Sequence, residues 1–307
     1  MINKQHSLLV EKFRPIKLEN YVGNEHIKKT INQYLGNNDI QNLIFYGPAG
    51  TGKTTLAKLI VKNLDCEHLY INASDERGIE TIRDKVSGFA SSASFKSLKV
   101  VILDEADFLT IQAQASLRNV IETFSRTTRF ILTCNYVERI IDPLQSRCQT
   151  LKIVPPTKSD VAKHLAWVMS EESCSFEMED LKIIVNQFYP DLRKCLNTIQ
   201  LSILDGGAND RYLKLDKSVL VSSNYMAQVL KELADKKSWK TIRQIIADAN
   251  IQDFEELYRY LYDNADKFAS GKEGMVAYYI NEYSYQSNFR IDKEINCMAL
   301  INQLISL

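Results

Sequence analysis

At 307 residues the chain is long enough for two or three domains with a sizeable core. Its 38 basic residues cancel its 38 acidic ones, which excludes bulk attraction to nucleic acid, so any DNA contact must come from locally placed cations. Hydrophobic residues make up 45% and charged ones 25%, an ordinary soluble balance, and no run approaches the ~18 apolar residues of a membrane span.

The opening stretch, MINKQHSLLVEKFRP, holds only a short apolar run before Glu11. That falls short of the ~7–15-residue core of a signal peptide, so an intracellular protein with no membrane role is expected. Five short runs rich in Ile, Val, Leu or aromatics follow: Asn42–Tyr46, His68–Asn72, Lys99–Leu103, Arg129–Thr133 and Thr150–Val154. Each is apolar on both faces, which predicts strands buried in a parallel sheet. Helical patterns lie between them, at Thr54–Leu64 and Gln112–Phe124, and the alternation predicts a doubly wound α/β domain over residues 1–155.

Pro155-Pro156 ends that pattern, and strand signals largely vanish after it. Helices are expected at Asp160–Glu171, capped by Thr157 or Ser159, at Met178–Phe188 and at Asp191–Leu204, giving a small helical domain over 156–208. Asp205 to Asp210 is a break. The remainder, 209–307, predicts an all-α domain: Met226, Val229, Leu230 and Leu233 keep amphipathic spacing, Trp239, Ile242, Ile245 and Ile246 repeat it, and an apolar helix closes near Leu300–Leu307. The six cysteines (66, 134, 148, 174, 195 and 297) form no CxxC pair, so reduced thiols are expected rather than zinc or disulfides.

Gly47-Pro-Ala-Gly-Thr-Gly-Lys-Thr54 fits GxxxxGK[ST] between a strand and a helix. Its backbone N–H groups and helix N-terminus would hold phosphates, Lys53 would reach the β- and γ-phosphates, and Thr54 would ligate Mg²⁺. Val100 to Asp107 is an apolar strand ending in Asp104 and Glu105, a tip suited to the magnesium shell and to activating water. Asn135 ends the next strand, where an amide can hold that water or simply make a turn. Arg147, in Ser146-Arg-Cys148, and Arg193, in Asp191-Leu-Arg193, would otherwise be solvated surface residues.

Those residues in that order, with Glu11-Lys-Phe-Arg-Pro15 in front, resemble the AAA+ sliding-clamp loaders: replication factor C small subunits and the large subunit of T4-like phage clamp loaders. The resemblance covers almost all of the first 200 residues. Its most specific parts are the Ser-Arg-Cys triplet and Asn72-Ala-Ser-Asp-Glu-Arg77-Gly-Ile-Glu-Thr-Ile-Arg83. It implies a Mg²⁺-dependent ATPase with an AAA+ domain, a helical lid and a C-terminal collar for oligomerisation. It also implies a complex of further copies with a different subunit, acting on a sliding clamp and primer-template DNA. The alternatives are another AAA+ DNA-associated motor, for branch migration or helicase loading, or a scaffold subunit that binds ATP for assembly alone. By the same resemblance Val10, Glu11, Lys12, Phe13 and Val22 form the adenine and ribose cradle, and Gly50, Thr51, Gly52, Lys53, Thr54 and Thr55 hold the phosphates. Arg147 is the arginine finger for a neighbour's ATP, and Arg193 the sensor on the lid. Arg77 and Arg83, six apart at the head of one helix, and Arg139 contact DNA phosphates; the alternative for the pair is ion pairing with Glu80 or Asp84. Phe89 to Leu98, above all Phe95 and Leu98, resembles the clamp-docking segment, with helix-end packing as the alternative. The four-cysteine zinc module of bacterial clamp-loader motors is missing, which points to the phage, archaeal or eukaryotic type, cytoplasmic or, if eukaryotic, nuclear. The opening box also lacks the Trp and Tyr of the cellular form (WVEKYRP).

Overall fold

The computed structural model describes residues 7–205, 211–215, 225–236, 238–249, 251, 254–287, 289–290 and 292–307. Two compact units result, Met1–Leu213 and Lys214–Leu307. The first is built on a five-stranded parallel sheet of β1 (Leu43–Tyr46), β2 (Cys66–Asn72), β3 (Leu98–Asp104), β4 (Thr128–Cys134) and β5 (Gln149–Lys152), in the order β2-β3-β4-β1-β5. All five expected runs become strands. The central three are buried almost throughout because helices cover both faces.

Burial on both faces does not extend to β2 and β5. They are the sheet's edges and expose much of their length, so Glu67, His68 and Tyr70 of β2 meet solvent. β5 also stops at Lys152: Val154 leaves the ladder to exchange two 2.9 Å hydrogen bonds with the side chain of Asn24, ahead of the proline pair.

One face of the sheet (Leu43, Phe45, Val100, Ile102, Ile131) packs against Ile27 and Ile31 of α2 (Glu25–Asn37) and Leu56 and Ile60 of α3 (Lys53–Asn63). The other (Ile44, Val101, Leu103, Phe130, Leu132) packs against Ile82 and Val86 and against Ala113, Leu117 and Ile121 of α5 (Ile111–Thr123). Ahead of these in the chain runs α1 (Leu9–Lys12), and on the second face a π-helical turn, Thr81–Val86, follows β2 and leads into α4 (Ser87–Ser91). A short α6 (Asp142–Gln145) precedes β5.

The same unit continues into α7 (Lys158–Glu171), α8 (Met178–Phe188) and α9 (Leu192–Ser202). The Thr157 hydroxyl accepts from Asp160 N and the Asp191 carboxylate from Lys194 N, so each caps its helix with a side-chain oxygen. α9 ends two residues before the expected Leu204. Ile203–Asp205 is instead β7, pairing antiparallel with β8 (Arg211–Leu213), which also pairs with β6 (Cys174–Ser175). This small sheet carries the second segment to Leu213, past the expected boundary at 208. Residues 206–210 of the predicted break lie outside the described residues.

The second unit is helical over its described residues: α10 (Tyr225–Ala234), α11 (Trp239–Asp248), α12 (Glu255–Asp263), α13 (Glu273–Ser287) and α14 (Lys293–Ile305). Its own core joins Val229, Leu233, Ile242, Ile246, Leu257, Leu261, Val276, Leu300 and Ile301. The closing helix begins at Lys293, earlier than its apolar tail suggests, because Asp292 caps it through Ile295 N. Among the described residues no helix is long and apolar enough to cross a membrane.

Candidate nucleotide site

Parallel strands deliver their carboxyl ends to one edge of the sheet, and a cavity lies there, where the order doubles back around β1. Val10, Phe13, Val22, Gly50, Thr51, Gly52, Lys53, Thr54, Thr55, Asp104, Glu105, Asn135 and Arg193 all line it. The phosphate loop leaves β1 and enters α3 through Gly52, in the left-handed region at φ 93°. A side chain there would be strained, and its Cβ would fall 2.9 Å from the ring of Tyr21. At Gly50, φ 72°, a Cβ would fall 1.9 Å from Asp191 Oδ1, so the loop touches the cap of α9 and needs glycine for that approach. Tyr21 also donates to the Thr51 carbonyl at 3.1 Å.

Lys53 is 8% exposed, and all three ammonium protons are used: to the carbonyls of Gly47 and Pro48 at 2.8 Å each and to Asn135 Oδ1 at 2.7 Å. Burial pulls its pKa below the usual lysine value, Arg193 adds to this, and the carboxylates of Asp107 and Asp104 oppose it. Asp104 accepts from Thr54 Oγ1 at 2.7 Å and Thr133 Oγ1 at 2.5 Å on Oδ1, and from the Tyr70 hydroxyl at 2.7 Å on Oδ2. Thr133 in turn accepts from the Glu105 amide at 3.1 Å. Glu105 sits at φ 55°, a left-handed conformation costly for a non-glycine residue and held here by that hydrogen bond. Asp107 accepts from the amides of Asn135 and Tyr136 at 3.2 and 3.3 Å, fixing the end of β4 beside the Glu105 turn.

Not every expected residue comes to this cavity. Val10 and Phe13, three apart, share the inner face of α1, which turns the side chains of Glu11 and Lys12 away. Glu11 pairs with Arg14 at 2.5 Å and Lys12 with Glu172. Arg147 is exposed and held by Glu122 at 2.5 Å and the Pro143 carbonyl at 2.6 Å. Arg77 is not at the head of a helix: it lies in the loop before the helical residues, where its carbonyl accepts from Thr110 N, while Arg83 sits in the π-helical turn. Both are exposed and, among the described residues, neither pairs with Glu80 or Asp84. Arg139 stacks over the Tyr136 ring at 4.7 Å. Phe95 is fully exposed, but Leu98 begins β3 at 6% exposure and is core, not surface.

Thr133, Tyr70, Tyr21, Asp107 and His164 were not foreseen. Thr133 alternates with Asn135 on one strand, a period-two signal that sequence carries. Tyr70 needs the β2–β3 register, in which it lies beside Ile102 and one pleat before Asp104, and no local pattern reports that. His164 lines the cavity from α7, and burial pulls its pKa down to about 4.

Residues 43–156 match the family model of AAA, the ATPase family associated with various cellular activities. The chain is 31% identical to the replication factor C small subunit of Sulfurisphaera tokodaii, over 98% of this chain and 96% of that protein. The Haloarcula marismortui small subunit is 40% identical over 66% of this chain, a match spanning 64% of that protein. Among solved structures, the Thermotoga maritima RuvB Holliday junction branch migration motor superposes with a TM-score of 0.58 at 16% identity, over 82% of this chain and 91% of that one, a likeness of fold alone. The chain therefore belongs to the replication factor C small subunits, within the AAA ATPases.

Proposed function

We infer that this chain is the ATPase subunit of a sliding-clamp loader, using ATP binding and hydrolysis to place a processivity clamp on primer-template DNA in the cytoplasm. Its first unit acts as AAA+ domain (to 155) and lid, and its second as the collar joining it to further copies and a different subunit. The observation that carries the catalytic reading is the joining of Lys53, Thr54, Asp104, Glu105 and Asn135 at one sheet edge. A triphosphate entering there exchanges its oxygens for the carbonyls now held by Lys53, and the N-terminus of α3 faces the same charge. Glu105 takes the proton of the attacking water. Asn135, accepting from Lys53 through its oxygen, keeps both amide protons for that water or the γ-phosphate.

The donors suit Mg²⁺. Thr54 and Asp104 are hard oxygens 2.7 Å apart, and no cluster of three or more His, Cys, Asp or Glu among the described residues is placed to hold a metal alone. A cation carried in by the nucleotide phosphates needs no more, and it would neutralise charge building on them. Arg193 reaches the cavity from the lid, so its contact with nucleotide couples binding to lid closure. Exposed Arg77, Arg83 and Arg139 give each copy a few phosphate contacts that a ring of copies multiplies. The test is ATP turnover of the assembled complex with and without clamp and primed DNA. Stimulation by both is expected, and turnover indifferent to either would refute the loader reading.

A further inference from the structure

Tyr70 belongs to no motif, yet among the described residues its hydroxyl is the hydrogen-bond partner of Asp104 Oδ2, at 2.7 Å. The parallel register explains the reach: Tyr70 pairs with Ile102, so its side chain leans along the α3 face toward residue 104. The ring is pinned from above by Lys58 of α3, whose ammonium lies 4.4 Å from its centroid, one turn after Thr54. Tyr70 therefore ties the edge strand, the strand tip and the first turns of α3 into one group. We propose that Tyr70 is a positioning residue for the metal site, its hydroxyl fixing the rotation of the Asp104 carboxylate so that Oδ1 stays against Thr54.

A carboxylate turns about its terminal torsion at little cost, because that torsion is broad. Two hydroxyls on Oδ1 set its position but leave the plane open, and a donor on Oδ2 closes it. The phenol is the donor of this pair, because a carboxylate oxygen can only accept. Because the hydroxyl acts on a carboxylate that would hold the metal, its loss should fall on metal affinity before nucleotide affinity.

This proposal rests on the reading that Asp104 serves Mg²⁺, and its test separates the two. Binding of a mant-labelled ADP to the full chain is titrated with Mg²⁺, and repeated in EDTA, for wild type, Tyr70→Phe and Asp104→Asn. Tyr70→Phe should raise the half-saturating Mg²⁺ on the order of tenfold and leave affinity in EDTA unchanged, while Asp104→Asn loses most of the Mg²⁺ response. An unchanged Mg²⁺ midpoint in Tyr70→Phe, with Asp104→Asn unresponsive, overturns the role of Tyr70. Equal weakening with and without Mg²⁺ also overturns it, since a general cavity defect acts that way. An Asp104→Asn chain that keeps its full Mg²⁺ response overturns the metal reading itself.

Discussion

Lys53 and Arg147 show two ways in which one chain holds a cation. Lys53 is buried at the carboxyl ends of the strands, and its own fold supplies three acceptors. Arg147 is exposed beside a depression lined by Asn42, Arg129 and Gln149, the residues at or next to the amino ends of β1, β4 and β5. The four residues of β1 alone separate the two ends by about 13 Å. Arg147 cannot serve the cavity of its own chain, and among the described residues it is held by the exposed Glu122 carboxylate, the Pro143 carbonyl and the Ser146 hydroxyl, partners that cost little to leave. On the proposed function, one end of the sheet is half of a shared site and the other carries the arginine that would complete a neighbour's.

The largest test of that contrast is a mixing experiment. Complexes with Glu105→Gln in every copy should lose the proposed general base, and those with Arg147→Ala the proposed finger, a charge expected to be worth ~10³–10⁵ in rate. If sites are shared, mixed complexes recover turnover at interfaces that pair an intact cavity with an intact arginine. Mixtures no faster than either pure mutant would break the comparison.

A smaller effect is expected from Asn135→Ala. It removes one acceptor from buried Lys53, a hydrogen bond to a charged group worth about 1.5–3 kcal/mol, so kcat should fall roughly 10–100-fold with the fold intact. Nucleotide affinity measured beside kcat shows whether the loss lies in binding or in the chemical step.

The buried end also has a pH signature below neutrality. His164 has a folded pKa of about 4 against an ordinary 6.5. The unfolded chain binds its proton first as pH falls. The stabilisation from a neutral His164 is therefore complete above pH 6.5 and lost progressively as pH drops to about 4. Thermal unfolding of wild type and His164→Gln from pH 4 to 8 should diverge in that window, by a difference of about 2–3 kcal/mol at its acid end. Parallel curves would place His164 in open solvent.

Much of this was legible in the sequence, for a physical reason. Buried central strands and a phosphate loop are local patterns, so β1, β3, β4 and the placing of Lys53, Thr54, Asp104 and Glu105 at the strand ends need only neighbours in sequence, whereas Asn135 stays open locally between a turn and a site residue. What was missed depends on long-range register. Edge positions of β2 and β5 follow from strand order, the Tyr70 contact follows from β2–β3 pairing, and the Ile203–Asp205 strand exists only because Arg211–Leu213 returns beside it. Apolarity alone cannot separate a core residue from a docking one, which is how Leu98 and Phe95 came to be grouped.

Those two residues give the smallest expected effect. Phe95 is fully exposed and joins none of the hydrophobic cores, so Phe95→Ala should change stability by no more than about 0.5 kcal/mol. Leu98, buried where β3 begins, should cost about 2–5 kcal/mol when cut to Ala. Clamp binding is expected to sort them the other way. A large exposed ring on a small-residue loop is a ready anchor, and losing it from a partner surface typically costs more than 1 kcal/mol where the ring is a hot spot. A Phe95→Ala chain with wild-type melting and weakened clamp affinity would make this loop part of the clamp contact. Unchanged affinity would remove Phe95 from that surface and leave the loop between α4 and β3 as solvent-facing chain.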